Sequence, residues 1–242
     1  MIKIFRLMLV MMVIGLITGC SFIGVYAVPS IEGTVVDAET SEPIEGAVVV
    51  VERSLRGGWE GFTGYYEYQE TLTDKKGFFH VPALGLVFEP NRFDDYDPQL
   101  QIYKAGYIKG ILSNSRRCHN VKSDFCYNYG RPPDDWYRES VWDGKTVGLM
   151  RFTGTKEERR SALHDYASMT HEPTRQKKCS WIGFEIPKYL RAINNELYTL
   201  GKSGLPYTPE SVIGMHGKPA ESATHNRDCP KQWKIFIEEY NQ

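Results

Sequence analysis

Four consecutive valines, Val48–Val51, constrain the fold of this chain more than any other feature. β-branched side chains favour extended backbone. Every position of the run is apolar, rather than every second one, and this pattern is typical of a strand buried on both faces. A run this short can also belong to a buried helix. Turn residues separate the run from a second valine-rich segment, Ile31–Asp37, which we also predict to be a strand.

Further strand patterns follow along the chain. Thr63–Thr73 is a long candidate, and Phe78–Val81 is a short one. Between them, "TDKKG" predicts a turn, because Asp74 can accept hydrogen bonds from nearby backbone and Gly77 tolerates a positive φ. Apolar and polar residues then alternate from Leu100 to Lys104. Thr146–Phe152 is the last predicted strand.

Three of these stretches resemble the carboxypeptidase regulatory-like domains: "GTVVDAETSEPIEGAVVVV", "TDKKGFFHVP" and "LQIYKAGYIKG". The resemblance covers roughly residues 30–112, with Lys145–Phe152 closing the sheet. It implies a transthyretin-like (prealbumin-like) β-sandwich of about seven strands. It implies nothing about activity, because function belongs to sites carried on a fold.

The chain departs from that family in two regions. A polar and aromatic insertion, residues 113–144, precedes the last strand, and loops this long are usually functional or disordered. After Thr155 the spacing of apolar residues becomes helical, and Thr155 with Glu158 forms a capping box that can start the first helix. Pro187 and Pro230 can each begin a further helix. We therefore predict a mainly β fold with α: a sandwich domain over 30–153, followed by a helical C-terminal extension over 154–242. We expect the helices to pack on the sandwich or on each other.

The N-terminal residues indicate export. Lys3 and Arg6 precede an apolar run, Leu7–Ile17, whose length fits a secretory signal and is too short to span a bilayer. The sequence "LITGC" resembles the lipobox of bacterial lipoproteins. The resemblance implies that residues 1–19 are a signal peptide, that Cys20 is acylated, and that residues 20–29 form a tether. Ser21 after the cysteine favours the outer membrane of a cell envelope. The alternative is an ordinary secretory signal in which Cys20 is incidental.

Four cysteines follow Cys20, and an even number in an exported chain suggests disulfides. We favour Cys118 with Cys126 and Cys179 with Cys229, because each pair lies within one region of the chain. Free or metal-binding thiols are the alternative. No C-x-x-C is present, so a zinc knuckle or a thioredoxin-type site is not supported.

No motif in the sequence indicates catalysis. The six histidines form neither H-E-x-x-H nor H-x-H, and no G-x-S-x-G or phosphate-binding glycine loop occurs. We predict no catalytic residue, no metal and no cofactor. The formal net charge of −1 makes nucleic acid an improbable partner. Asp94, Asp95 and Asp97 could suit calcium, but the EF-hand spacing is absent and a solvated acidic loop is the simpler interpretation.

Aromatic residues are the remaining candidates for a site, because amphipathic rings are enriched at protein interfaces and can also stack on sugars. Trp136 and Tyr137 are the leading candidates for binding, and Tyr127, Tyr129 and Trp142 are further ones. The prediction is a non-catalytic envelope lipoprotein, held at the membrane by its lipid, that binds an envelope protein or a glycan or has a structural role. The alternative is an envelope hydrolase whose site, including His164 or His171, forms only in three dimensions.

Overall fold

The computed structural model describes residues 24–57, 61–94, 97–114, 121–122, 136–168, 182–201 and 229–242. Eleven strands occur in these ranges: β1 (Val25–Val28), β2 (Ile31–Asp37), β3 (Val48–Gly57), β4 (Gly61–Leu72), β5 (Phe78–Val81), β6 (Gly85–Phe88), β7 (Arg92–Phe93), β8 (Gln99–Tyr103), β9 (Gly110–Leu112), β10 (Val121–Lys122) and β11 (Lys145–Leu149). The described helices are α1 (Lys156–Ser168), α2 (Pro187–Thr199) and α3 (Pro230–Tyr240), with a short 3-10 helix at Ile182–Phe184.

The strands form two facing sheets and a separate two-stranded ribbon. The first sheet has the order β10-β11-β2-β5, and the second has the order β4-β3-β8-β9, with β7 also paired to β3. Strand β11 runs parallel to β2, and the other pairings are antiparallel. The ribbon consists of β1 and β6, so Val25–Val28 is a paired strand and not part of the tether that the sequence predicts over 20–29. The predicted β-sandwich is therefore confirmed, and the predicted last strand ends at Leu149 rather than at Phe152.

The core lies between the two sheets and follows the alternation of strand side chains. Val49 and Val51 of β3 face Ile31 and Val35 of β2, and Trp142 lies among them. Val48 and Val50 project from the opposite face of β3 and are equally buried, beneath the helices. The valine run is thus buried on both faces, as its lack of alternation predicts.

The helices cover the outer face of the second sheet. Their apolar stripes include Leu190, Ile193 and Leu197 of α2, and Trp233 and Phe236 of α3. The predicted helical C-terminal extension is confirmed, and it packs on the sandwich. Among the described residues, no helix has both the length and the apolar character needed to cross a membrane.

A buried ion pair fastens α1 and α2 to the end of β8. The Arg159 guanidinium donates from Nε and Nη2 to the two Glu196 carboxylate oxygens, over 2.7 and 2.8 Å. Arg159 also donates from Nη1 to the carbonyl oxygen of Tyr107, over 2.7 Å, and the Tyr103 hydroxyl donates to Glu196. Burial raises the pKa of Glu196, but these hydrogen bonds outweigh it and hold the pKa below its ordinary value.

Carboxylates and turn residues complete the frame. Glu70 on β4 accepts hydrogen bonds from the backbone N–H groups of Lys188 and Tyr189, over 2.8 and 2.9 Å, and so caps the N-terminus of α2. The predicted turn before β5 is present: Asp74 Oδ1 accepts from the N–H groups of Lys76 and Phe78. The capping box of α1 also forms, because the Glu158 N–H donates to Thr155 Oγ1 over 3.2 Å and the Thr155 N–H donates to Glu158 Oε2 over 2.7 Å.

Candidate interaction surface

Trp136 and Tyr137, here called the aromatic pair, lie beside the ribbon. The Ala27 N–H donates to the Trp136 carbonyl over 2.8 Å, and the Arg138 N–H donates to the Ala27 carbonyl over 2.8 Å. Residues 136–138 therefore extend the ribbon along β1. The two rings lie 5.8 Å apart at an interplanar angle of 56°, and Trp136 is 41% exposed. The structure thus brings the two leading candidates together at the surface.

Buried polar groups hold the aromatic pair in place. Arg138, the next residue, donates from Nη2 to the carbonyl oxygens of Asp94 and Asp97, over 2.5 and 3.1 Å. Asn114 donates from Nδ2 to the carbonyl oxygens of Asp97 and Glu139, over 2.8 Å each. Because these donors come from a buried guanidinium and a buried amide, the segment that carries the aromatic pair is fixed to the sandwich.

Asp97 is the acidic centre of this support. Its Oδ1 accepts from the Ser54 N–H over 2.9 Å, and its Oδ2 lies 3.6 Å from Arg138 Nε. Arg53, fully buried on β3, donates from Nη1 to Gln69 Oε1 over 2.8 Å. Burial raises the pKa of Asp97 to about 7, although the positive charges of Arg138 and Arg53 act to lower it. Asp97 is therefore a buried structural carboxylate and not part of a solvated acidic loop, which corrects the simpler interpretation of the sequence.

The outer side of the ribbon is apolar. Leu86 and Phe88 of β6 are 78% and 68% exposed, the largest values among the exposed large hydrophobic side chains of the described residues. Their cross-strand partners are Ala27 and Val25 of β1. Paired residues project to the same side of a ribbon, so these four side chains form one surface, here called the ribbon face.

The inner side of the ribbon is firmly packed. Tyr26 contacts Phe93 edge to face, with ring centroids 4.8 Å apart, and both are buried with Leu55. The Arg138 guanidinium lies over the Phe93 ring, 5.7 Å from its centroid. The same residues thus support the ribbon face and the aromatic pair, and both surfaces lie at one corner of the sandwich.

The other predicted site residues have different outcomes. Trp142 is 2% exposed, belongs to the core between the sheets, and donates from Nε1 to the Ser113 carbonyl over 3.0 Å. Its proposed place on a binding surface is therefore wrong, because the ring fills the core. Cys229 is buried just before α3. The remaining predicted residues lie outside the described residues, and their roles stay predictions: Cys20, Cys118, Cys126, Tyr127, Tyr129 and Cys179.

Sequence reasoning missed Leu86 and Phe88. Leu86, Val87 and Phe88 are consecutive apolar residues, a pattern that by itself resembles a strand buried on both faces. Only Val87 is buried. The short length of the run and its flanking Gly85 and Pro90 mark a strand, but nothing in them indicates which side is left uncovered.

The acidic and histidine groups that the structure describes do not gather into a metal-binding cluster of three or more ligands. His164 lies half-buried on α1, and His171 lies outside the described ranges. The hydrolase alternative therefore stays untested.

No protein-family model matches this sequence, and no curated protein matches it. Solved structures give partial likenesses. A streptococcal ancillary pilin is 12% identical, with 53% of this chain and 31% of that chain covered and a TM-score of 0.28. Catechol 1,2 dioxygenase from Acinetobacter radioresistens is 16% identical, with 53% of each chain covered and a TM-score of 0.28. The C-terminal domain of the shaft pilin SpaA from Lactobacillus rhamnosus GG is 14% identical, with 53% of this chain and 98% of that chain covered and a TM-score of 0.22.

The likeness spans less than two thirds of the length of the pilin and the dioxygenase. At these TM-scores it carries no argument about the activity or the partners of this chain. The assignment to a β-sandwich rests instead on the two facing sheets described above.

Proposed function

We propose that this chain is a non-catalytic module of a bacterial cell envelope, attached to the membrane by lipid on Cys20, and that it binds an envelope protein through the aromatic pair. The observation that carries the binding role is the exposed Trp136 ring, packed against Tyr137 on a segment fixed by Arg138 and Asn114. Rings of this kind supply large contact areas and lose little conformational entropy on binding, because their position is already set.

Several features support a protein as the partner. Interfaces between proteins commonly centre on aromatic anchors of this kind. Arg138 and Asn114, which hold the segment that carries the pair, are buried and already hydrogen-bonded to backbone carbonyls. They are therefore committed to the fold and are not available to read the hydroxyl groups of a sugar. A glycan remains an outcome of the test.

The attachment at Cys20 rests on the lipobox-like "LITGC" and on the apolar run before it. Two or three acyl chains anchor a protein stably, while one chain binds only marginally. Intact-mass analysis of the protein purified from its native membrane tests this part directly. Loss of residues 1–19 with the added mass of acyl chains is the expected result, and an unmodified Cys20 contradicts it.

The binding role is tested by crosslinked affinity capture of the full-length protein from its native membrane. The variant Trp136→Ala plus Tyr137→Ala should lose a partner that the wild type captures reproducibly. Phe78→Ala is the matched control, because Phe78 is similarly exposed but lies on β5 in the first sheet. A partner retained by the double variant, or lost equally in the control, contradicts the proposed surface. Capture of glycan in place of protein contradicts the proposed partner class.

A further inference from the structure

We infer that the ribbon face lies on the lipid surface itself, so that the protein rests against the membrane rather than standing away from it on a flexible tether. This inference deepens the proposed function and rests on the lipid attachment at Cys20. The ribbon face consists of Val25, Ala27, Leu86 and Phe88, as defined above.

The position of the ribbon along the chain is the first argument. Strand β1 begins at Val25, five positions after Cys20. A fully extended chain spans about 3.3–3.6 Å per residue, so the start of β1 stays within roughly 17 Å of the acylated cysteine. The headgroup region on one side of a bilayer is about 5–7 Å thick. A tether this short therefore keeps the ribbon next to the membrane surface, whatever its orientation.

The register of the ribbon is the second argument. Val25, the first residue of β1, pairs with Phe88, and Ala27 pairs with Leu86. Phe88 therefore lies at the end of the ribbon from which the tether leaves. The Glu89 N–H donates to the Gly24 carbonyl over 2.7 Å, which fixes the point where the chain leaves the ribbon. The apolar surface and the exit of the tether are at the same edge of the molecule.

The chemistry of the surface is the third argument. Leu86 and Phe88 carry no polar atom in their side chains, and most of each side chain contacts solvent. Two exposed apolar side chains alone bind a bilayer weakly. A lipid anchor a few residues away raises their effective concentration at the membrane, so a weak contact becomes a populated one.

The packing on the inner side of the ribbon is the fourth argument. Tyr26 and Val87 project inward and are buried, and Tyr26 packs on Phe93. The ribbon face therefore cannot turn inward to hide its side chains without breaking that packing. Contact with lipid removes the exposed apolar surface from water and leaves the fold unchanged.

The test uses the full-length protein, purified with its lipid and reconstituted into vesicles of phosphatidylcholine and phosphatidylglycerol. Part of the phosphatidylcholine is brominated on its acyl chains, because bromine quenches nearby tryptophan fluorescence. Phe88→Trp introduces a reporter on the ribbon face, and Ile235→Trp introduces one at an exposed position of α3. The emission of each added tryptophan is obtained as the difference from the wild type, which has 5 tryptophans of its own.

We expect the emission added by Phe88→Trp to shift to shorter wavelength and to be lost on bromination, while the emission added by Ile235→Trp keeps its wavelength and intensity. Equal quenching of the two reporters, or quenching of neither, overturns the inference. Urea unfolding of both variants, with midpoints equal to that of the wild type, shows that each reporter sits in the native fold.

Two further measurements separate this inference from its alternatives. Intact mass of the same sample reads the lipid on Cys20, so failure of the lipid attachment is distinguished from failure of the ribbon contact. Mass measurement of the complex in detergent, on wild type and on Leu86→Ser plus Phe88→Ser, detects a second copy on the ribbon face. A dimer that this double variant dissociates overturns the lipid contact, while a wild type that is monomeric in detergent and quenched in vesicles supports it.

Discussion

Replacing Arg159 by methionine tests how strongly the helices are bound to the sandwich. Arg159 donates three hydrogen bonds, two to Glu196 on α2 and one to the Tyr107 carbonyl after β8. The side chains of Arg159 and Glu196 are 3% and 8% exposed, so water cannot take the place of the guanidinium donors that the substitution removes. Methionine fills a similar volume and removes the charge.

The expected loss of unfolding free energy is about 3–5 kcal/mol, the usual cost of removing one partner of a buried ion pair. Among the residues that the structure describes, Tyr103 and Gly106 would be the remaining donors to the buried Glu196 carboxylate. The double variant Arg159→Met plus Glu196→Leu should recover part of the loss, leaving about 1–3 kcal/mol, because no uncompensated charge remains but the Tyr103 hydroxyl loses its acceptor. With the second single variant, Glu196→Leu, the effect of the double variant minus the effects of the two single variants measures the coupling of the pair.

Urea unfolding is followed by far-ultraviolet circular dichroism, which reports the helices, and by tryptophan fluorescence. Lys234→Met is the control, because Lys234 and Glu238 are exposed and 4.0 Å apart on α3, a pair expected to contribute less than about 0.5 kcal/mol. The folded pKa of Glu196 is lowered, so the stability it provides is present above its ordinary pKa and is lost as the pH falls through the folded value. A loss in Arg159→Met no larger than that in the control would refute the reasoning.

Three further comparisons, which use five substitutions, test separate parts of the structure by urea unfolding. Trp142→Ala should lower the free energy of unfolding by about 3–5 kcal/mol, because the ring fills the core. Trp136→Ala should change it by less than about 0.5 kcal/mol, because that ring lies at the surface. Equal effects would contradict the assignment of one ring to the core and the other to the surface. Gly77→Ala should lower the free energy of unfolding by more than about 2 kcal/mol, since the added Cβ would lie 2.3 Å from the Val35 carbonyl oxygen. Gly85 has a similar positive φ but lies in open space, so Gly85→Ala should cost about 1 kcal/mol. Similar losses in the two variants would show that backbone conformation alone matters. Burial raises the pKa of Glu70 from 4.5 to about 7, so the folded state binds this proton more tightly than the unfolded state and stability falls as the pH rises between these two values. Glu70→Gln should reduce that fall, and an unchanged pH dependence would contradict it.

Local patterns of the sequence predicted the strands β2–β5, β8 and β11 and the helices, for reasons visible in the structure, but not the short strands β1, β6, β7, β9 and β10. The Thr155 capping box and Pro187 at the start of α2 act through neighbouring backbone groups, and Asp74 accepts hydrogen bonds from the N–H groups of its own turn. Such contacts join residues two to four positions apart, so the sequence alone contains both partners. The β-sandwich was also predictable, because its strands carry their alternation and turns in consecutive residues.

The candidate site was predictable only in part. The sequence indicated Trp136 and Tyr137 through their aromatic and polar surroundings, but it ranked Trp142 with them. The difference depends on Ser113, whose carbonyl accepts from the Trp142 indole, and on the two sheets that enclose the ring. These partners are distant from Trp142 in the chain, so the residues around Trp142 do not predict that its ring is buried.

By itself, the sequence favoured a strand over Val48–Val51 that is buried on both faces, because β-branched residues favour extended backbone and no polar residue alternates with them. Only the tertiary structure decided what covers it: the first sheet on one side and helices α2 and α3 on the other. Leu86–Phe88 is also an uninterrupted apolar run, but only its middle residue, Val87, is buried. Burial depends on which elements meet in space, and short apolar segments do not encode their partners.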